Sequence, residues 1–296
     1  MERAVAVDTF VQLTVNGLAN GAILALAALG FALIYKATGV INFAQGQFLV
    51  IGAYVIYAAM ATFGLHWSLG IAVGVVVAVA LGVLVERLVL RPLIGESVVS
   101  VIMVTIGLSS LLQAIVQIVF GVQPRRMPTF LPSGSVRFAG ATLPADRLWA
   151  IAIAAVVLAA FTVFFQRSRH GIAMRAVADD QQAALVMGIS VKRIFALAWA
   201  LAAVSAVIGG LLLANLAGVS GTLAEFGLVV FPVVIVGGLD SIPGTIVGGA
   251  IIGLLVSFTA GYIGGGLQQV IPYVVLVGIL VVKPYGLFGQ VRIERV

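Results

Sequence analysis

Residues 37–85 read ATGVINFAQGQFLVIGAYVIYAAMATFGLHWSLGIAVGVVVAVALGVLV, a stretch without aspartate, glutamate, lysine or arginine. An α-helix needs about 20 mostly apolar residues to cross the hydrocarbon core of a bilayer, which is roughly 30 Å thick. The stretch is long enough for two such helices, and Gly64-Leu65-His66 marks the expected break between them. It therefore predicts two consecutive membrane spans.

Similar uncharged runs fill most of the remaining chain. Ser241–Val282 also has room for two spans, divided at Gly264-Gly265-Gly266, whereas Phe226–Leu239 is too short for a straight span. Single spans are expected in Thr9–Tyr35, Ser97–Pro124, Leu148–Gln166 and Ile194–Ala224. The sequence therefore predicts an all-α polytopic membrane protein, with about eight transmembrane helices plus one short or broken membrane element. These form a single transmembrane domain over residues 1–296.

The composition also indicates a membrane protein. Hydrophobic residues make up 62% of the 296 positions and charged residues 9%, whereas about a quarter of the residues in soluble domains are charged. So few charges cannot cover a large apolar core with a water-soluble surface. The 35 glycines are typical of closely packed membrane helices. A soluble globular protein is therefore excluded.

The basic residues lie between the uncharged runs, as the positive-inside rule describes. With the N-terminus outside and nine crossings, eleven of them lie inside and five outside. The inside set is Lys36, Arg87, Arg91, Arg167, Arg169, Arg175, Lys192, Arg193, Lys283, Arg292 and Arg295, and the outside set is Arg3, Arg125, Arg126, Arg137 and Arg147. This predicts an outside loop at 121–147, irregular because of its prolines, and an inside loop at 166–194. No cluster has the interleaved aromatic residues of a nucleic-acid face, so no nucleic-acid partner is expected.

The chain lacks the residues that several classes of enzyme require. None of the three lysines follows a glycine, so the chain has no P-loop, and its two histidines are too far apart for a zinc site. The string Gly218–Gly221 matches an intramembrane serine protease motif, but no histidine follows Ser220. We therefore expect no catalytic residue and no metal site. Acidic residues for ion coupling are also scarce. Glu86 is expected to form an interfacial pair with its neighbour Arg87, and Glu225 and Asp240 flank the short element.

The inside loop contains the pattern of a short helix. Asp179 and Asp180 are suited to a helix N-terminus, residues 181–187 are good helix formers, and Gly188 is placed to end the helix in a left-handed conformation. This helix of two to three turns would carry a small apolar patch formed by Ala183, Ala184 and Met187. The patch suits either a groove on a partner protein or the surface of the lipid bilayer.

The loop also resembles a known family. Gln182-Ala183-Ala184, followed by Gly188 and Ile194, is similar to the "EAA…G" loop of ABC importer permeases. Gln182 replaces the usual Glu, and Phe195-Ala196 replaces Leu-Pro. Further motifs resemble the branched-chain amino acid permeases, and more distantly the ribose-type sugar permeases, from about residue 10 to 289. They are Asn16-Gly17-Leu18, Asn42-Phe43-Ala44-Gln45-Gly46, residues 237–244 and Gly248-Gly249-Ala250.

The resemblance, closest to the H-type permease subunit, implies a function and a set of partners. The chain would be the membrane-spanning permease of an ATP-driven ABC importer, translocating branched-chain or related apolar amino acids delivered by a periplasmic binding protein. Its partners would be two ABC ATPases that carry ATP and Mg, an M-type second permease and the lipid bilayer; the chain itself would bind no cofactor. It would lie in the bacterial inner membrane, with a periplasmic N-terminus and a cytoplasmic C-terminus.

The resemblance further implies that the inside helix is the coupling helix, which sits in a groove of the ATPase. Its candidate contact residues are Asp179, Asp180, Gln182, Ala183, Ala184, Met187 and Gly188. Three alternatives remain open: the same architecture for another solute such as a sugar or urea, an ion-coupled secondary carrier, and a membrane scaffold without transport.

Two segments share a pattern that points to a transport pathway. Gly39–Ala53 and Gly238–Ala250 each have a glycine, a polar residue three positions later, a second glycine and a later Gly-Ala. Repeated glycine-interrupted segments in membrane proteins often border the pathway. The candidate pathway residues are Asn42, Gln45, Gly46, Asp240, Ser241 and Gly244. The alternative interpretation is that the polar side chains cap helices and the glycines allow close helix packing.

Overall fold

The computed structural model describes residues 2–132, 134–138, 141–264 and 266–289. Within these ranges the chain is almost entirely helical, with one small β-hairpin. The elements are α1 Glu2–Thr38, α2 Gln45–Tyr57, α3 Trp67–Val85, α4 Val98–Phe120, β1 Ser135–Phe138, β2 Ala141–Pro144, α5 Ala145–Arg167, α6 Arg169–Asp179, α7 Gln181–Val186, α8 Val191–Ala217, α9 Glu225–Gly237, α10 Ile242–Phe258 and α11 Leu267–Val282. Three helices end in π-helical turns, at Ala58–Thr62, Glu86–Leu90 and Thr259–Ile263.

The nine predicted apolar elements are all present. Within the described ranges, seven helical stretches are long and apolar enough to cross a membrane, and two shorter ones are Gly221–Gly237 and Leu267–Val282. The first of these is the short element that the sequence predicts. The second begins at Leu267, directly after the predicted break at residues 264–266, where Gly264 and Gly266 adopt positive φ angles, and its 16 residues make it shorter than a full span. Gly265 lies outside the described residues.

Helix α1 lies at the centre of the bundle and packs against α5, α8, α9 and α10. Its antiparallel contact with α10 is made by glycines: a Cβ atom on Gly21 would lie 2.5 Å from the carbonyl oxygen of Gly249. Gly17 and Gly253 meet in the same way one turn away. The packing interpretation of these glycines is therefore confirmed, since the two backbones touch where any side chain would separate them.

The bundle has two chemically different ends. We call the end formed by the C-terminus of α1, the N-terminus of α8 and helices α6 and α7 the basic end. Of the eleven basic residues predicted to lie together inside, the nine in the described part of the chain lie here, and Arg292 and Arg295 lie outside the described residues. The opposite end, which we call the hairpin end, carries residues 121–147. The sequence predicts an irregular loop here, but β1 and β2 pair in antiparallel register within it, so part of the loop is regular.

Candidate translocation cavity and coupling surface

The segment between α1 and α2 turns back into the bundle. Gly39 ends α1 with φ +70°, and the extended segment after it leads to Gln45, the first residue of α2. The side-chain amide of Gln45 donates to the carbonyl oxygens of Ala27 and Ala202, both at 3.3 Å. Because these carbonyls lie within α1 and α8, far from the helix ends, α2 begins near the middle of the bundle.

Asn42 completes this junction. Its amide oxygen accepts from the backbone N–H of Ala44 at 3.0 Å, and its amide nitrogen donates to the Gln45 side chain at 3.3 Å. Thr105 of α4 donates to the carbonyl oxygen of Ile41 at 3.2 Å. Irregular backbone at membrane depth needs such partners. Asn42 and Gln45 are fully buried, so they satisfy the backbone of this segment and do not line an open space.

The start of α9 meets the start of α2. A Cβ atom on Gly46 would lie 2.7 Å from the carbonyl oxygen of Ala224, and Gly227 packs directly on the Cα atom of Gly46. Before this contact, Val219 is tied to the hairpin end by two backbone hydrogen bonds with Arg125, of 2.7 and 2.8 Å. Residues 218–224 therefore descend from the hairpin end to the middle of the bundle, where two short helices begin side by side.

A cavity of about 510 Å³ lies above this meeting point. It extends from Gly46 and Gly227 at mid-depth to Gly121 and Pro124 at the hairpin end. The lining residues are Phe43, Gly46, Gln47, Val50, Tyr54, Ser109, Gln113, Val116, Gln117, Gly121, Val122, Pro124, Ser220, Gly221, Thr222, Ala224, Glu225, Gly227 and Leu228. In the described structure the lining is mostly apolar and neutral polar, with Glu225 as its one charged residue, and it suits a small solute with an apolar part.

Aromatic residues close the cavity toward the basic end. The Phe43 ring lies 4.7 Å from that of Phe231, and Phe231 makes an edge contact with Phe31 at 5.0 Å. Phe231 follows Gly227 by one helical turn in the direction of the basic end. In this conformation these rings lie between the cavity and the basic end, and the cavity reaches Gly121 and Pro124 at the hairpin end.

The second group of predicted pathway residues lies at the basic end, apart from the first. Ser241 caps α10 by accepting from the N–H of Gly244 at 3.0 Å, and Gly244 packs against Gly237. The carbonyl oxygen of Asp240 accepts from the Lys36 ammonium at 3.0 Å. Asp240 and Ser241 line a separate pocket of about 320 Å³ that also contains Arg175. The structure thus brings Asn42, Gln45 and Gly46 together at mid-depth, and places Asp240, Ser241 and Gly244 elsewhere.

The two segments with the shared pattern have similar local structures. Gly39 and Gly238 both follow a helix and have positive φ angles, of +70° and +110°. Asn42 and Ser241, three residues later, both accept a hydrogen bond from a backbone N–H near the start of the next helix. The two turns still differ, because Ser241 is the N-cap residue of α10, whereas Asn42 bonds Ala44, the residue before α2.

The loop at 166–194 contains two helices where one was predicted. Ser168 caps α6, accepting from Gly171 at 2.9 Å, and Met174 and Val177 are buried against the bundle. Asp180 caps α7, accepting from Gln182 and Ala183 at 2.8 and 2.9 Å, and Gly188 has φ +81° as predicted. The prediction of one helix from Asp179 was wrong, because Asp180 is extended and separates Asp179, the last residue of α6, from a shorter α7.

The apolar surface of α7 also differs from the prediction. Ala184 is only 3% exposed and belongs to the core of this chain, because α7 packs its inner face on the bundle. Leu185, Val186 and Met187 are exposed instead, Val186 by 87% and Met187 by 80%. We call these three residues the coupling patch. Gln182 and Ala183 are exposed beside it.

A third correction concerns Glu86. Its partner is Arg91 and not its neighbour Arg87: the Arg91 guanidinium donates two hydrogen bonds, of 2.7 and 3.1 Å, to the buried carboxylate. The cause is the π-helical turn Glu86–Leu90, which brings residues five apart onto one face. A π-helical turn cannot be recognised from the hydropathy pattern, so the sequence did not predict this pair.

Sequence reasoning missed two cavity residues. Glu225 was noted only as a flank of the short element, and Tyr54 was not singled out. An acidic residue beside an apolar run was a usable signal for the first, since intramembrane acids are uncommon and often functional. For Tyr54 no signal existed, because only the folded arrangement brings α2 beside the cavity.

The fold and the cavity define a polytopic all-α membrane transport protein. The family model described as "Branched-chain amino acid transport system / permease component" matches residues 13–280. The chain therefore belongs to this permease family, and it is a multi-pass protein of the inner membrane.

Several relatives agree with the family. The high-affinity branched-chain amino acid transport system permease protein LivH of Escherichia coli K12 is 32% identical over 97% of this chain and 98% of that protein. BraD of Pseudomonas aeruginosa is 31% identical with the same coverage. A probable LivH of Methanocaldococcus jannaschii is 30% identical over 90% and 89%. Among solved structures, PsaBC from Streptococcus pneumoniae in complex with Fab is similar at 13% identity with a TM-score of 0.48, too low to bear on the fold.

Proposed function

We propose that this chain is the permease subunit of an ATP-driven importer for branched-chain or related apolar amino acids. The observation that carries the proposal is the 510 Å³ cavity, open at the hairpin end and closed by Phe43 and Phe231 toward the basic end. Its volume and lining suit an aliphatic amino acid. The names of the relatives from Escherichia coli and Pseudomonas aeruginosa support this substrate class.

The basic end is the cytoplasmic end in this proposal. The nine clustered basic residues there support a periplasmic N-terminus and a cytoplasmic C-terminus. A periplasmic binding protein then releases substrate at the hairpin end, into the open cavity. A second permease subunit, M-type by the family resemblance, covers the side of the cavity formed by α4, most of whose surface is exposed in the single chain.

Two partner ATPases supply the energy, because the chain has no P-loop. Each holds ATP and Mg and receives an exposed apolar coupling surface, which on this chain is formed by Leu185, Val186 and Met187. Movement of α7 and α6 passes to α5 through Arg175, whose guanidinium lies over the Phe165 ring and donates to the Phe165 carbonyl. It passes to α8 through residues 187–190. Separation of Phe43 from Phe231 then opens the cavity to the cytoplasm.

Uptake by the purified complex tests this function. The affinity-tagged chain, isolated from its native membrane with its partner subunits and reconstituted in liposomes, is expected to accumulate L-leucine, L-isoleucine or L-valine. Accumulation should require the binding protein, ATP and Mg. Uptake driven by a proton or sodium gradient without ATP would contradict the proposal and support a secondary carrier.

A further inference from the structure

Two cations meet on one aromatic ring at the basic end. The Lys36 ammonium lies 5.3 Å from the centre of the Phe165 ring, and the Arg175 guanidinium lies 5.5 Å from it. Both side chains line the pocket of about 320 Å³ that also contains Asp240. The ends of α1 and α5, helix α6 and the start of α10 surround this pocket. The shared ring and the shared pocket therefore place the two charges together.

Neither cation has an acidic partner in the described part of the chain. Lys36 donates to the backbone carbonyl of Asp240 at 3.0 Å, and Arg175 donates to two backbone carbonyls at the end of α5. Carbonyl groups are neutral, and an ammonium has three N–H donors and a guanidinium five, so charge and donors are left over. The Asp240 carboxylate lines the pocket but pairs with neither cation among the described residues. The pocket therefore keeps a net positive charge.

The N-terminus of α10 adds to this positive potential. Ser241, Ile242 and Pro243, at the start of this 17-residue helix, line the pocket. The aligned peptide dipoles place partial positive charge there, which favours an anion such as phosphate. Because the N–H of Gly244 is used by the Ser241 cap and proline has no N–H, the helix contributes its field more than its donors.

The pocket lies at the depth where phospholipid head groups are expected. It is lined by the last turn of the span that ends at Thr38, the last two turns of the span that ends at Arg167, and the first residues of the span that begins at Ile242. Apolar surface continues from it toward the middle of the bundle, where Val163 of α5 and Val247 of α10 are 52% and 37% exposed. Basic pockets of this kind, between transmembrane helices on the cytoplasmic side, bind anionic lipid head groups.

We propose that Lys36, Arg175 and the N-terminus of α10 bind the phosphate head group of an anionic phospholipid. The acyl chains then contact the exposed valines of α5 and α10. The basic end is cytoplasmic in the proposed function, so the lipid belongs to the cytoplasmic leaflet; the site itself requires only that the chain lies in a membrane. A partner ATPase is a poorer occupant, because the two cations lie at the span ends, whereas the coupling patch follows α7.

Lipid binding to the purified complex tests the site. The tagged chain with its partner subunits is delipidated in a neutral detergent, and dioleoylphosphatidylglycerol or dioleoylphosphatidylcholine is added while native mass spectrometry counts the bound lipids. The two probes have the same acyl chains and differ in head-group charge. The wild type should bind phosphatidylglycerol about tenfold or more tightly than phosphatidylcholine, because its phosphate charge is not compensated within the head group.

The double variant Lys36→Gln with Arg175→Gln should lose this preference, and its affinity for phosphatidylglycerol should fall about tenfold or more. The matched control is Lys192→Gln with Arg193→Gln, which removes one lysine and one arginine from exposed positions at the same end and should keep the wild-type affinity. Arg175→Lys, which keeps the charge, should retain part of the binding. The melting temperature without added lipid checks the fold of each variant.

The outcomes identify the occupant. Equal binding of the two lipids by the wild type overturns the site, whether or not the double variant folds. Unchanged phosphatidylglycerol affinity in the double variant also overturns it, and loss of the ATPase from that variant at unchanged lipid affinity would assign the cations to the ATPase. Displacement of the lipid by millimolar inorganic phosphate, but not by chloride at matched ionic strength, would make soluble phosphate the ligand. None of these results depends on uptake of L-leucine, so the proposed function stands or fails separately.

Discussion

Gly21 shows how a single residue sets the distance between two membrane helices. Its missing side chain allows the backbone of α1 to touch that of α10 at Gly249. Gln45 also positions helices, but through a large polar side chain: its amide bonds the start of α2 to carbonyl groups in the middles of α1 and α8. Neither residue needs to contact a substrate. Gln45 sets the depth at which α2 begins, and therefore the position of the inner end of the cavity.

The prediction at this scale is that Gly21→Ala destabilises the protein. The new Cβ atom would lie 2.5 Å from the Gly249 carbonyl oxygen, and the two helices must separate to admit it. Such overpacking costs about 1–3 kcal/mol. The apparent melting temperature of the detergent-solubilised protein should fall.

Gly107→Ala is the matched control, because Gly107 is also a helix residue but has open space where its Cβ would lie. Alanine is favoured over glycine in a helix by roughly 0.5–1 kcal/mol, so this variant should be neutral or slightly more stable. Equal melting temperatures for the two variants would contradict the close packing of α1 on α10.

At the scale of elements, α6 and α7 are each partly buried and partly exposed. Met174 and Val177 of α6, together with Ala184 of α7, anchor the pair to the bundle. The coupling patch is left free at the basic end. A rigid attachment on one face and an exposed apolar surface on the other are what a part that transmits motion requires.

We predict that Met187→Arg weakens attachment of the ATPase subunits. Met187 is 80% exposed, so a charged side chain fits without disturbing the bundle, but it would be buried without a partner in an apolar groove. The measurement is the amount of ATPase that co-purifies with the tagged chain.

Met187→Leu keeps an apolar side chain and should retain the ATPase. Ala184→Arg is not an equivalent test, because Ala184 lies in the core and its replacement would disturb α7 itself. Full retention of the ATPase by Met187→Arg would place the coupling surface elsewhere on the chain.

At the scale of the whole molecule, the sequence predicted what depends on local composition. The nine apolar elements, the Asp180 cap and the left-handed Gly188 follow from hydropathy and from short-range backbone chemistry. The depth at which α2 begins, the Glu86–Arg91 pair and the burial of Ala184 depend on contacts between distant segments or on a π-turn. Hydropathy does not encode these contacts, so the cavity can be recognised only in the folded chain.

The central claim is that the cavity above Gly46 and Gly227 is the route of the substrate. Because the chain contains no cysteine, Thr222→Cys places a single thiol of this chain on the cavity wall. Ser135→Cys places one on the exposed β1 strand at the same end, as the control.

The most direct measurement is uptake of L-leucine after a membrane-impermeant thiol reagent is added from the binding-protein side. Reagent should label both variants, and it should block uptake in Thr222→Cys alone, because the attached group fills the cavity. Labelled Thr222→Cys that still transports at the wild-type rate would contradict the account.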